Sequence, residues 1–376
     1  MKVVIASDSF KGSATSLEVA SAIERGILKA DSSVEISKFP VSDGGEGLLE
    51  VIESLEGYKR ITLKVKDPLF NEIEASYVRN EETAFIEMAA ASGLPLVPDS
   101  KRNPLNTTTF GTGELIKDAL DSGVYNLVIG IGGSATNDGG IGMLTALGAT
   151  FYDNEENEVS PIGKSLDIIE SYDFSNFHKS INNVKVSVAC DVDNPLCGIN
   201  GASYIYGPQK GADKDMVQFL DNSLNKFSKL VNKEDEALAP GSGAAGGLGF
   251  ALKSFLNAEL KSGIELVLSA IGFEEAVSKA DLVLTGEGKI DGQSKRGKVP
   301  VGVAKIAKKF NVPVIAIAGD IGKGTEALYD LGIDGIVSTT SRAMPLAEAM
   351  KNSLELSEDE AFRLWKILQI QLKNIN

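Results

Sequence analysis

Short apolar, largely β-branched runs recur along the chain, each followed by a polar, glycine-bearing loop and then by apolar residues at helical spacing. Residues 2–6 (KVVIA), 34–39, 281–285 (DLVLT), 312–319 (VPVIAIAG) and 334–339 (DGIVST) read as buried strands of a parallel sheet. Thr15 and Glu18 have capping-box spacing ahead of a helix with Leu17, Ala20, Ile23 and Ile27 on one face. Pro300 falls in the first turn of another, with Val303, Ile306, Ala307 and Phe310 inward. A short helix is expected near 324–331. The last helix is predicted to open at Ser357 and Glu360 and to bury Phe362, Leu364, Trp365, Leu368 and Leu372.

The pattern changes between these outer strands. Residues 60–67 and 72–79 alternate apolar and polar around a short connection, which predicts an antiparallel pair, and 83–90 adds a strand. A helix through Leu115, Ile116, Ala119 and Leu120 follows, and a further strand is expected within 184–196. Two apolar strands before residue 60 and three after 280 frame the different middle. The predicted fold is therefore α/β: a flavodoxin-like doubly wound parallel sheet of five strands, interrupted by a large inserted α/β domain. Residues 1–60 and 277–376 are assigned to the discontinuous domain and 61–276 to the insert, with the active site expected in the cleft between them.

The length of 376 residues accommodates two domains, and 43% hydrophobic with 24% charged residues is an ordinary globular composition. A net charge of −15 argues against nonspecific nucleic-acid or anionic-membrane binding, so an anionic ligand needs local positive charge or a metal. The two cysteines, Cys190 and Cys197, lack metal-binding spacing, and the single histidine, His178, excludes a two-histidine zinc motif. The amino-terminal apolar run is too short for a signal peptide and no stretch is long enough to span a bilayer, so a cytoplasmic location is expected.

The densest chemistry is in 125–148, where an apolar run breaks into GIGGSATNDGG (130–140) before a small-residue helix start. Strand, glycine loop and helix can turn backbone N–H groups toward a phosphate. The loop adds Ser134, Thr136, Asn137 and Asp138. Gly130, Gly132 and Ala135 also fit the dinucleotide pattern, with Asp153 at ribose distance, but Thr136 to Gly139 intervene before a helix can start. Other loops recur at strand ends. SDSFKGS (7–13) carries Asp8 and Lys11, SDGGEG (42–47) carries Ser42, Asp43 and Glu46, and DVDNPL (191–196) carries Asp191 and Asp193. Residues 286–300 nearly satisfy a P-loop through Gly292, Gly297 and Lys298, but Val299 stands where a hydroxyl would hold magnesium. That loop still concentrates Lys289, Lys295, Arg296 and Lys298. GSGAAGGLGFAL (241–252) reads either as a tight packing contact or as a second anion nest.

Together with GPQKGA (207–212) and TGEGKIDGQSKRGKVP (285–300), these loops resemble the bacterial type I glycerate kinases, in the same order from the first strand to about residue 320. The resemblance implies ATP-dependent phosphorylation of D-glycerate at the 2-hydroxyl, and a flavodoxin-like domain with a large inserted one. It does not choose among the carboxylates; chemistry does. Asp191 is the candidate general base, and Lys11 and Lys298 supply charge to the phosphates. Asp43, Asp138 and Asp193 are the candidate Mg²⁺ ligands. Asp8, Ser42, Asp43, Gly132, Gly133, Ser134, Thr136, Asn137, Gly286, Glu287, Gly288, Asp291 and Lys298 are candidates for substrate and phosphate binding. The expected partners are ATP, Mg²⁺ and D-glycerate, with neither nucleic acid nor membrane; oligomeric state is not legible. A phosphate-capturing protein without catalysis and an NAD(P)-dependent hydroxy-acid dehydrogenase are the alternatives.

Overall fold

A computed structural model describes residues 1–42, 47–292, 294 and 298–372. Strands β1 (Lys2–Ser7) and β2 (Glu35–Lys38) open the chain. Next come β3 (Lys59–Lys66), β4 (Glu72–Arg79), β5 (Thr83–Glu87), β6 (Asn126–Gly130), β7 (Thr150–Tyr152), β8 (Ser171–Asp173), β9 (Lys185–Ala189) and β10 (Glu259–Lys261). β11 (Leu282–Ile290), β12 (Val314–Ile321) and β13 (Gly335–Ser338) close the described strands. The chain divides into two compact units, one of Met1–Asp43 with Ile264–Asn376 and one of Gly44–Gly263.

The first unit holds an all-parallel five-stranded sheet in the order β13-β12-β11-β1-β2. Numbered within the unit this is the flavodoxin-like order, whose direction of winding reverses between β1 and β11. Val3, Ile5, Leu282, Leu284 and Ile317 fill the sheet's core with Ile23, Ile27 and Trp365 from helices Ser16–Ala30 and Ser353–Leu372. The predicted capping box is present: Thr15 Oγ1 accepts from Glu18 N, and the Glu18 carboxylate accepts from Thr15 N at 2.9 Å. Leu17 is off the buried face, which Val19, Ala22 and Gly26 complete instead.

Several boundaries differ from the sequence expectation because distant strands and helices set them. β11 runs through Gly286, Glu287 and Gly288, which had read as loop; Gly286 pairs with Ile317 and Glu287 with Ala318 on β12. A Cβ on Gly286 would lie 2.1 Å from the Ile317 carbonyl oxygen, so a glycine permits that continuation. The last helix starts at Ser353, and Ser357 lies inside it with Oγ donating to the Ser353 carbonyl. In helix Val299–Lys309, Phe310 follows the last turn and is exposed, while Ala304 joins Val303 and Ala307 in the core.

The second unit carries a mixed six-stranded sheet, β10-β9-β6-β5-β4-β3. β5, β6, β9 and β10 are parallel, and β3–β4 is the predicted antiparallel hairpin. Helix Leu48–Glu53, assigned from sequence to the outer domain, falls within this unit, where the Leu49 N–H donates to Glu87 at the end of β5. β9 ends at Ala189, so Cys190 to Leu196 form a loop rather than more strand. Among the described residues no helix is long and apolar enough to cross a membrane.

Candidate active site

In the first unit, the predicted residues gather at the carboxyl ends of β1 and β11, beside the point where the winding reverses, the place open α/β sheets hold ligands. Asp8 follows β1; its N–H donates to the Gly286 carbonyl and its Oδ1 accepts from Ser9 N at 2.7 Å. Gly288 lies against the backbone of Phe10 and Lys11, with a Cβ position 3.4 Å from Phe10 Cα. Ser16 Oγ donates to the Ser7 carbonyl and accepts from Val41 N, which ties the segment leading to the buried Ser42 to the end of β1. Asp43 lies outside the described residues, as do Lys295 and Arg296 of the basic loop.

Glu287 is the chemical centre of this group. Its side chain is buried, Oε1 accepts from Ser294 Oγ, and Oε2 accepts from Lys298 Nζ at 3.1 Å. Burial pushes the carboxyl pKa up, and Ser294 and Lys298 pull partly against that. Ser294 also accepts from Asp291 N at 3.2 Å, fastening Asp291 to the same turn. Nothing local in the sequence marks Ser294, because its role depends on a strand position seven residues earlier. Lys298 is the residue before helix Val299–Lys309, while Val299 is fully buried. The position where a P-loop needs a hydroxyl is thus part of the core.

In the second unit, the glycine loop leaves β6, and Asp191 and Asp193 leave β9. The two strands are adjacent and parallel, with Gly130 opposite Ala189. Asp191 and Asp193 are exposed, and Asp191 Oδ1 accepts from Gly263 N at 3.2 Å. Glu87 ends the neighbouring β5 opposite Gly130, a carboxylate absent from the sequence candidates; burial raises its pKa against the opposing hydrogen bond from Leu49 N.

The loop itself is built differently from the expectation. Gly132 and Gly133 are exposed, whereas Ser134, Thr136, Asn137 and Asp138 are buried. Asn137 Nδ2 donates to Ser203 Oγ at 2.8 Å. Asp138 Oδ2 accepts from Thr109 N, Thr109 Oγ1 and Gly142 N, and Oδ1 accepts from Gly140 N. Thr109 Oγ1 in turn accepts from Met143 N. The start of helix Ile141–Ala146 is therefore capped by the protein's own carboxylate rather than left for a phosphate. With these donors around it, Asp138 serves as an internal cap, its two oxygens taken up by the protein's own N–H and O–H groups. Burial raises its pKa; the hydrogen bonds act in the opposite direction.

The two readings of 241–252 are also separated. Ala245, Gly246 and Gly247 are left-handed, at φ +51°, +69° and +92°. A Cβ on Gly246 would lie 2.0 Å from the Thr136 carbonyl oxygen, and Gly246 O accepts from Gly139 N at 3.0 Å. This is a backbone-to-backbone packing contact holding the glycine loop, not a second anion nest. Lys210, present in a quoted motif but absent from the site candidates, is 2% exposed and donates to Ser134 Oγ and the Thr136 carbonyl, both at 2.6 Å.

The dinucleotide match fails on the same ground of local geometry. Asp153 Oδ1 closes a turn by accepting from Glu155 N and Asn157 N. The described residues contain no group of three or more His, Cys, Asp or Glu side chains able to hold a metal. Mg²⁺ held together with substrate phosphates needs only one or two carboxylates, and the exposed Asp193 would fit that chemistry.

A profile of the glycerate kinase family matches residues 3–369. A glycerate kinase of Bacillus subtilis is 49% identical over 366 residues, covering 96% of each chain. A glycerate 2-kinase of Escherichia coli is 48% identical over 361 residues, covering 94% of each. The crystal structure of a candidate glycerate kinase 2 from Salmonella typhimurium LT2 matches with a TM-score of 0.91 at 44% identity, over 99% of both chains.

Proposed function

This chain belongs to the glycerate kinase family, and we propose that it transfers the γ-phosphoryl group of ATP to the 2-hydroxyl of D-glycerate, giving 2-phosphoglycerate and ADP. The activity is that of a phosphotransferase with an alcohol acceptor. The observation that carries the mechanistic reading is the adjacency of β6 and β9, which sends the exposed Gly132–Gly133 backbone and the exposed Asp191 carboxylate out of neighbouring parallel strands.

Phosphoryl transfer needs an oriented hydroxyl, an acceptor for its proton and neutralisation of phosphate charge. Asp191 takes the proton as the glycerate oxygen bonds to the γ-phosphorus and the bond to the β-phosphate bridging oxygen breaks; the proton then passes to water. Gly132 and Gly133 allow close backbone approach to the anionic ligand. In the first unit, taken by itself, Lys11 and Lys298 are the cations offered to a phosphate, with Asp8, Ser42, Glu287, Asp291 and the Gly286–Gly288 backbone at the same strand ends. Mg²⁺, when bound, would supply positive charge to phosphate oxygens; Asp193 is the described carboxylate offered to it, and the other candidate, Asp43, lies outside the described residues. The reaction is assigned to the cytoplasm.

The test is ADP release with D-glycerate, ATP and Mg²⁺, followed by ³¹P and ¹H NMR of the product. 2-Phosphoglycerate is expected. 3-Phosphoglycerate overturns the assigned position, and ligand binding without turnover overturns the catalytic reading. NAD(P)H-dependent absorbance change would instead return the dehydrogenase alternative.

A further inference from the structure

Lys210 occupies an unusual place for a lysine. It ends the 3-10 turn Pro208–Lys210, and its side chain runs into the second unit's interior to the glycine loop. Its Nζ bridges two points of that loop, donating to Ser134 Oγ and to the Thr136 carbonyl at 2.6 Å each. These points directly follow Gly132 and Gly133, the exposed part of the loop. The turn cannot easily shift: Gly211 has φ +93°, and a Cβ there would lie 2.3 Å from the Arg102 carbonyl oxygen. The same loop retains unused polar capacity. Thr136 Oγ1 and Asn137 Oδ1 are buried with no hydrogen-bond partner among the described residues.

We propose that Lys210 is a positioning residue for phosphoryl transfer: from beneath the loop, its ammonium fixes Ser134 and the Thr136 carbonyl, and so sets the path of the Gly132–Gly133 backbone that meets the ligand. This rests on the reading of that backbone as ligand-facing.

A buried ammonium is costly to desolvate, so a lysine that only filled space would be poorly chosen. Its two short hydrogen bonds span the residues whose spacing decides where the loop's exposed backbone lies. Burial lowers the Lys210 pKa to about 7, with Asp138 acting the other way. Asp138, on the loop, is the charged group facing it; its carboxylate is already occupied by Thr109, Gly140 and Gly142. Arg102, beside Gly211, has its own partner in Asp99 at 2.7 Å. The charge behind the loop is therefore present below neutrality and lost above it, and loop geometry should follow.

The experiment compares wild type, Lys210→Met and Lys210→Arg by kinetics and by NMR of the Gly132 and Gly133 amides between pH 6 and 9. Wild type is expected to lose kcat/KM for D-glycerate as pH rises through about 7, with both amide signals shifting over the same range. Lys210→Met should lower kcat/KM at pH 6.5 by about 10- to 100-fold, the scale of a lost charge-assisted hydrogen-bond pair, and abolish both titrations. Lys210→Arg, which stays charged, should abolish the titrations while retaining part of the activity. If Lys210→Met does not fold, Lys210→Arg decides alone. Persistence of the titrations in a folded variant, or their absence in wild type, overturns the proposal. Wild type without turnover overturns the functional reading instead, and the amide titration still decides whether Lys210 positions the loop.

Discussion

Lys298 Nζ donates to Glu287 Oε2 at 3.1 Å, joining a half-exposed cation in front of a helix to a carboxylate buried on the central strand β11. Each partner faces a different demand. Lys298 is accessible enough to meet a phosphate, whereas burial raises the pKa of the Glu287 carboxyl, and Ser294 and Lys298 oppose that in part. Replacing Lys298 by Met should lower kcat/KM for ATP by about 10- to 100-fold, with little change in unfolding midpoint, since half-exposed pairs contribute little to stability.

Glu287→Gln tests the other partner. The folded-state pKa of Glu287 is raised, so between the ordinary carboxylate value and the folded value the native state binds more protons than the unfolded chain. Stability from this group therefore falls as pH rises through that window and is lowest above it. Glu287→Gln should lose activity yet show a smaller fall in unfolding free energy from pH 4 to pH 8 than wild type, measured by urea titration. An unchanged pH slope would contradict the assignment.

Asp191→Asn should reduce kcat about 100-fold or more while leaving circular dichroism and thermal midpoint nearly unchanged. The amide can still accept from Gly263 N, so the local hydrogen bond at 3.2 Å survives while the proton acceptor is lost. Near-normal turnover would remove Asp191 as the base.

Asp138→Ala separates the cap from a metal ligand. It strands donors on Thr109, Gly140 and Gly142 in the interior, and should cost at least about 3 kcal/mol of stability. The wild-type thermal midpoint should not depend on Mg²⁺ through this residue. A Mg²⁺-dependent rise in the wild-type midpoint that Asp138→Ala abolishes would support the ligand role instead.

Gly246→Ala and Gly272→Ala form a matched pair at φ +69° and +67°. A side chain at Gly272 meets nothing within 4 Å, so its cost should be near the backbone strain alone, about 1 kcal/mol. At Gly246 the added Cβ collides with the Thr136 carbonyl oxygen, and a considerably larger loss, together with reduced activity, is expected. Equal midpoints in urea for the two variants would show that the glycine loop does not depend on this contact.

What the sequence determined by itself is what local pattern and chain order can encode. The outer apolar runs specified parallel strands, and Thr15 with Glu18 specified a helix start, because capping joins residues only three positions apart. The ordered glycine and carboxylate motifs carried the family. Tertiary structure decided the partners. Asp138 reads the same in a sequence whether it binds metal or caps a helix; Thr109, twenty-nine residues away, supplies two of its donors. Gly286 to Gly288 became strand because β12 pairs with them. Lys210 looked like one more polar residue until a chain segment more than seventy positions away buried its ammonium beneath Ser134 and Thr136. Hydrogen bonding, desolvation and strand pairing act through space, so the order of residues can nominate the chemical groups but only the fold selects which of them meet.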